Sequence, residues 1–399
     1  MEAASSFDVV VVGGGLAGSS LAITLAREGA DVLVVERDRV FRDRVRGEVM
    51  ATWGTVEAKR LGLFELLRER CATEVRYLTY CVEGVVAASA DLPTVAPHFE
   101  PSLAFHHPVM QEALIEEAAL AGATVWRPSR LVSLTPGNPP AAEVMVDGVA
   151  RMVTARLIVG ADGRDSQVAR LGGFERLADP DELLAAGLLV QGEMDTGDAI
   201  NMFIGQAAGQ IAGVTRIAPS LYRLYFFHHI HAIPSRLSGA RDVGAAFSYL
   251  RDTGVPGEWL ANARPEGPLA TFDGAHRWIE RPYKNGVVLV GDAAGASDPS
   301  WGSGLSRTLR DVRLLHDLLV SATDWPRAAE EYAREHDEFW ERLRDIERLT
   351  AKALMSVGPD GASRRGRALE IFDRVPELEI WTYGPEAHCD DGVRADLLV

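Results

Sequence analysis

The chain has 399 residues, 47% hydrophobic and 25% charged, with a formal net charge of −16 at pH 7. That length suits two domains with sizeable cores, and the composition excludes a disordered, collagenous or coiled-coil chain. The acid excess excludes a nucleic-acid surface, and no stretch approaches the roughly 18 uninterrupted apolar residues of a membrane span.

Three cysteines, Cys71, Cys81 and Cys389, make no disulfide framework and point to a reducing, cytoplasmic setting. The N-terminus has no basic lead before its apolar run, so no signal peptide is expected. Lysine is limited to positions 59, 284 and 352.

In chain order, Phe7–Val12 reads as a strand buried on both faces, and it runs into Gly13-Gly14-Gly15-Leu16-Ala17-Gly18. Ser19–Glu28 has helical apolar spacing and stops at Gly29, and Val32–Val35 is a second short strand closed by Glu36. In this βαβ unit Gly13 permits the tight turn, Gly15 lets the backbone approach a pyrophosphate, and Gly18 allows close helix packing. Glu36, eighteen residues after Gly18, stands where a carboxylate bonds ribose hydroxyls. The spacing predicts a dinucleotide site.

Met110–Ala121 reads as a helix, and Leu131–Leu134, Val144–Val146 and Met152–Val159 as a β-meander ending in a buried strand. From about 183 to 230, alternating segments predict antiparallel strands with one face covered. Val287–Val290 returns to the buried-strand pattern, Leu305–Val320 is helical, and the last 75 or so residues are charge-rich and helical. Asp162-Gly163 and Gly291-Asp292 each follow a buried strand, and the second is trailed by Pro299 and Gly302-x-Gly304.

These three elements, in this order, resemble the FAD-dependent monooxygenases of the para-hydroxybenzoate hydroxylase type over roughly residues 1–325. The resemblance implies an α/β fold. A Rossmann-like FAD-binding domain (1–75, 100–182 and 266–325), built of a parallel sheet and β-meander, would be interleaved with an antiparallel-sheet substrate domain (76–99 and 183–265). A helical C-terminal segment would occupy 326–399. It implies FAD contacts from Gly13, Gly15, Ala17, Gly18, Glu36, Arg37, Arg46, His107, Leu131, Asp162, Asp292, Gly302, Gly304 and Leu305. Arg37, Arg44 and Arg46 compete for the diphosphate, and Arg46 is the best positional match. For both aspartates, helix capping is the alternative role.

The implied activity is transfer of one oxygen from a flavin C4a-hydroperoxide to an aromatic or other electron-rich small molecule. O2 is the co-substrate, and NADPH, NADH or a separate flavin reductase is the electron source. The alternatives are a flavin-linked reductase or dehydrogenase, a halogenase, or a non-catalytic flavoprotein.

The chain departs from the family pattern in places. His107 stands at a usual arginine, Gly295 at a frequent histidine and Ser303 at a glutamine. No Trp-x-Trp-x-Ile-Pro segment of a halogenase is present: Trp53 lacks a partner, and Lys59 sits in a helical stretch. His229, Pro299 and Trp301 are weak candidates for a catalytic role. His228, His229 and His231 lack the convergent ligands of a metal site, and the 388–391 stretch reads as a polar tail.

Overall fold

The computed structural model describes residues 5–205, 209–233, 236–358 and 360–398. Its first sheet has five parallel strands in the order Val287–Leu289, Val149–Gly160, Ser5–Val12, Val32–Val35, Thr124–Trp126. The unbroken apolar run of the first strand is explained by what lies on each side. Val9 and Val11 pack with Leu21, Leu25 and Leu309 of the helices Leu16–Arg27 and Gly304–Ser321. Val10 and Val12 pack with Leu131 and Val144 of the meander Ser129–Thr135/Ala141–Val146. With apolar layers on both faces, alternation has no use.

The second sheet runs in the order Arg264–Pro265, Leu183–Gln191, Leu221–His229, Gln210–Ala218, Ala199–Ile204, Tyr77–Val82, Val85–Asp91. Its pairings are antiparallel except between Ala199–Ile204 and Tyr77–Val82. Ala270–Asp273 joins the same sheet beside Leu183–Gln191, although the sequence expectation placed 266–325 with the cofactor half.

The expectation that this sheet covers one face only is overturned. Leu183–Gln191 is buried at every position but the last. Leu188, Val214 and Phe226 pack against Leu250 of the helix Val243–Asp252. Ala185, Ile211 and Phe227 pack on the other side against Leu354, Ile371 and Leu378. The second cover comes from the charge-rich end of the chain. Helix Trp325–Leu354, capped by the Asp324 carboxylate on the Arg327 amide, carries its apolar stripe inward and its ion pairs outward. Helix Gly361–Arg374 and the turn Ile380–Tyr383 follow it. None of the described helices is long and apolar enough to cross a membrane.

The glycine turn after the first strand separates two kinds of constraint. Gly13 has φ +106, and a Cβ on Gly18 would stand 1.9 Å from the Gly13 carbonyl oxygen. A Cβ on Gly15 would meet only Gln111 Nε2, at 3.6 Å. Gly18→Ala should therefore destabilise the apoprotein by about 1–3 kcal/mol, and Gly15→Ala should leave its thermal midpoint near that of the parent. Equal melting curves for Gly18→Ala and the parent would contradict the packing assigned to this turn.

Candidate active site

The dinucleotide cleft is built where the first two parallel strands end. Gly13, Gly15, Glu36, Arg37, Arg46, Gln111, Leu131 and Asp162 all line it. Glu36 is fixed by two backbone donors: Gly14 N–H to Oε2 at 2.7 Å and Asp38 N–H to Oε1 at 2.6 Å. Its carboxylate is thereby held at the edge of the glycine turn, with lone pairs left for hydroxyl donors. Helix Leu16–Arg27 begins at the turn with no side-chain cap, so its first amides face the cleft. A helix start, an open Gly15 and a fixed carboxylate fit the adenosine diphosphate half of FAD.

The arginines separate by depth. Arg37 is largely exposed, and Arg44 pairs with Asp38 at 3.1 Å. Arg46 is solvent-accessible yet set deep in the cleft. There burial and then Arg44 lower its pKa, while Asp292 opposes them. Arg46 and Asp292 thus face one space.

Asp162 lines the cleft but spends both carboxylate oxygens on the helix Gln167–Leu171. Oδ1 accepts from Ser166 Oγ at 2.5 Å, and Oδ2 accepts from the amides of Gln167 and Val168. Capping is therefore one of its roles. Leu131 offers its carbonyl to Gln167 Nε2. His107 opens the helix His107–Leu120 but is absent from the cleft wall: its Nε2 bonds the Gly47 carbonyl at 2.6 Å. Burial drops its pKa to about 3, so the ring is neutral and donates that bond. Gln111, one helical turn on, occupies the wall where the sequence pointed to His107.

Beyond the cleft, Ala17, Gly18 and Leu305 are buried packing positions rather than walls. Gly291 N–H donates to Asp311 Oδ2 at 3.1 Å, and Arg307 Nη2 donates to Asp292 Oδ1 at 2.8 Å. Arg307 is fully buried while Asp292 is about half exposed. A buried guanidinium therefore orients a carboxylate whose other oxygen takes no bond from the described residues. Gly302 is left-handed at φ +65, and Gly304 opens the helix Gly304–Ser321.

The Pro299–Gly302 loop forms part of the wall of a cavity of about 860 Å³. The other walls are Leu78, Met202, Ile211 and Phe227 of the antiparallel sheet, and Leu354, Phe372, Leu378 and Trp381 of the C-terminal segment. Sequence reasoning missed that last group. Pro299 and Trp301 line the cavity, whereas His229 lines a separate cavity of about 300 Å³ with His276 and Asp298. His229 is therefore removed from the large cavity: at the end of its strand it stands beside Arg348, Ala351 and Met355, at the C-terminal end of the long helix.

Three further residues were missed. Glu48, fully buried at the cavity wall, accepts two bonds from Arg223, each 2.6 Å, and one from Tyr225 at 2.8 Å. Burial lifts Glu48 to about 7 against the lowering effect of Arg223. Burial alone would lower Arg223, but Glu48 and then Asp43, 2.6 Å away, raise it. The Tyr225 hydroxyl also lies against the Arg46 carbonyl, so its one proton is shared between that carbonyl and Glu48. One side chain thus holds the link between cleft and cavity.

A second buried network lies beside the Pro299–Gly302 loop. His276 Nε2 meets Glu347 Oε2 at 2.7 Å and its Nδ1 meets Asp179 Oδ2 at 3.2 Å. Glu347 Oε1 accepts from Ser303 Oγ at 2.6 Å. Burial opposes the charge on His276, but the bonds to Asp179 and Glu347 lift its pKa to about 9.

Cleft, loop and cavity together give a dinucleotide-type cleft beside a large, mostly apolar cavity. Residues 6–345 match the FAD binding domain family, and the chain belongs to it, as an FAD-dependent oxidoreductase of the para-hydroxybenzoate hydroxylase-like superfamily. It is 25% identical over 349 residues to digeranylgeranylglycerophospholipid reductase 2 of Methanococcoides burtonii, covering 84% of this chain and 80% of that one. It is 26% identical over 387 residues to 6-methylpretetramide 4-monooxygenase of Streptomyces rimosus, covering 92% and 89%. Its fold is similar to that of p-nitrophenol 4-monooxygenase PnpA from Pseudomonas putida, with TM-score 0.80, 19% identity, and 94% and 96% coverage.

Three outcomes follow. Gly15→Val should abolish FAD retention, since its branches enter the space beside the diphosphate while the apoprotein still folds; full FAD content would contradict the cleft assignment. Asp292→Ala should weaken FAD binding by about ten- to a hundred-fold, whereas Asp162→Ala should cost mainly apoprotein stability, about 1 kcal/mol for a lost cap. Titration of each apoprotein with FAD separates the two.

The third concerns pH. A histidine whose pKa rises from 6.5 unfolded to about 9 folded stabilises the fold fully below pH 6.5 and loses that contribution as pH rises through 9. Thermal midpoints should therefore fall across that window, by the equivalent of roughly 3 kcal/mol. His276→Gln should flatten the decline; an unchanged profile would remove His276 as its source.

Proposed function

We propose that this protein is a monooxygenase that inserts one oxygen atom from O2 into a large, mostly apolar small molecule, taking its electrons from NADPH or NADH. The cavity supports this reading most directly. About 860 Å³ bounded by Leu, Ile, Met, Phe and Trp side chains suits a polycyclic or isoprenoid substrate rather than a small polar one, and Pro299, Trp301 and Gly302 belong to its wall. The net reaction consumes substrate, O2, a reduced nicotinamide and a proton, and yields oxygenated substrate, water and oxidised nicotinamide. Bound FAD supplies the O2 activation that no side chain provides.

The chain's own contribution is placement and dryness. Glu36 and the glycine turn would hold the adenosine end of FAD, Arg46 would neutralise its diphosphate, and Asp292, oriented by Arg307, would accept from its polyol hydroxyls. Around the cavity the apolar walls exclude water from the space beside the Pro299–Gly302 loop, which would keep the oxygen-transfer chemistry that FAD supplies in a dry setting.

Names among the relatives include both a reductase and a monooxygenase. Halogenation is disfavoured because Lys59 pairs with Glu100 at 2.7 Å on the surface and no lysine lines the cavity. Turnover under heavy-oxygen-labelled O2 decides the matter: one labelled atom per product molecule is expected. Product formed at an undiminished rate without O2 would assign the chain to the reductases.

A further inference from the structure

One polar pair in the cavity wall has no part in the cofactor site. Tyr80 projects from the strand Tyr77–Val82, and Glu379 stands just before the turn Ile380–Tyr383. Both line the cavity. Tyr80 donates its hydroxyl proton to Glu379 Oε2 at 2.9 Å, and Glu379 Oε1 accepts the Trp381 amide at 3.2 Å. The carboxylate is half-buried among apolar neighbours, and no cation pairs with it among the described residues. A carboxylate so placed, with only neutral partners, is under-compensated.

Its position is held from the cofactor side. Trp53 Nε1 donates to the Ile380 carbonyl at 3.2 Å, Thr52 Oγ1 bonds the carbonyls of Trp381 and Thr382, and Trp381 Nε1 donates to Ser102 Oγ at 2.9 Å. The Trp381 ring lies against Gly302: a Cβ there would stand 1.8 Å from it. The pair is therefore fixed relative to the Gly302 loop.

The hydrogen-bond inventory gives the pair a sign. Tyr80's single proton is already committed to Glu379, so what remains toward the cavity is acceptor only: lone pairs on Glu379 Oε2 and on the Tyr80 oxygen. We propose that Tyr80 and Glu379 form a substrate-anchoring subsite that accepts a hydrogen bond from a hydroxyl or amino group on an otherwise apolar polycyclic ligand. The subsite rejects hydrocarbons, which leave the carboxylate unpaired, and carboxylates, which repel it. This rests on the reading that the cavity is the substrate's.

The test uses oxidised holoenzyme without reductant, so it does not depend on turnover. Hydroxypyrene, aminopyrene, pyrene and pyrenecarboxylate are titrated, following pyrene fluorescence and the flavin absorbance band. The hydroxyl or the amino probe, whichever the subsite favours, should bind about tenfold or more tighter than pyrene, with pyrenecarboxylate weakest. Glu379→Gln replaces the charged acceptor with a neutral amide and should erase the preference, whereas Tyr80→Phe removes the donor that occupies Glu379 Oε2 and should keep or sharpen it. Both should leave pyrene affinity within about twofold, since the hydrophobic contacts are unchanged. In Glu379→Gln, pyrenecarboxylate should also gain.

Equal binding of all four probes, no binding of any, a preference that survives Glu379→Gln or is lost in Tyr80→Phe, or variants that weaken every probe alike would each overturn the subsite. None of these outcomes bears on oxygen incorporation, which the labelled-O2 measurement decides separately.

Discussion

The two halves of the molecule meet at one buried guanidinium. Arg223, on the antiparallel sheet, is fully buried between Glu48 and Asp43, which flank the loop that carries Arg46. Desolvating such a group is tolerable only with both carboxylates in place, and removing one partner of a buried pair typically costs about 3–5 kcal/mol. The same side chains set function. Glu48 belongs to the cavity wall, Arg46 to the cofactor cleft, and Tyr225 bonds both Glu48 and the Arg46 backbone. The cofactor loop therefore cannot shift without disturbing the wall behind the substrate.

The cofactor half was legible in the sequence because its determinants are local. A βαβ turn needs glycines at fixed offsets, and two apolar layers impose a continuous valine run on the strand between them. The antiparallel strands of the other half were legible too, but their long-range side-chain pairings were not. Arg223 lies 175 positions from Glu48, and Tyr80 lies 299 positions from Glu379. No periodicity reports such pairings. The charge-rich C-terminal end misled for a related reason: the outer face of helix Trp325–Leu354 carries most of its charge, so composition hides the stripe that packs inward. His107 misled differently, since the helix carrying it was read correctly but its first residue turns to Gly47 and the next turn reaches the cleft.

The aspartates show that capping and cofactor contact are not exclusive readings. Asp162 organises a short helix with both oxygens while still standing in the cleft wall, so its contribution to binding is the shape of the turn. Asp292 has no helix to cap. A buried arginine takes one oxygen and leaves the other half exposed. Two aspartates that each stand beside a glycine just after a buried strand thus carry different chemistry, set by whether the following residues form a helix within reach of the carboxylate.

The match to the FAD binding domain family ends at residue 345, whereas Leu354, Phe372, Leu378, Glu379 and Trp381 of the cavity wall all lie beyond it. The cofactor cleft and this outer part of the wall thus lie on different stretches of chain, while Leu78, Met202, Ile211 and Phe227 add the sheet side of the wall from within the matched stretch. The first must meet the fixed geometry of one dinucleotide, so its glycines and carboxylates are tightly specified by local backbone. The second has only to cover one face of a sheet and keep it dry, which many apolar surfaces can do. What ties the two is small: Trp53, Thr52 and Ser102 bonding the 380–382 segment, and the Trp381 ring against Gly302. Changes in the C-terminal wall that keep those few contacts can reshape the cavity without moving the Pro299–Gly302 loop.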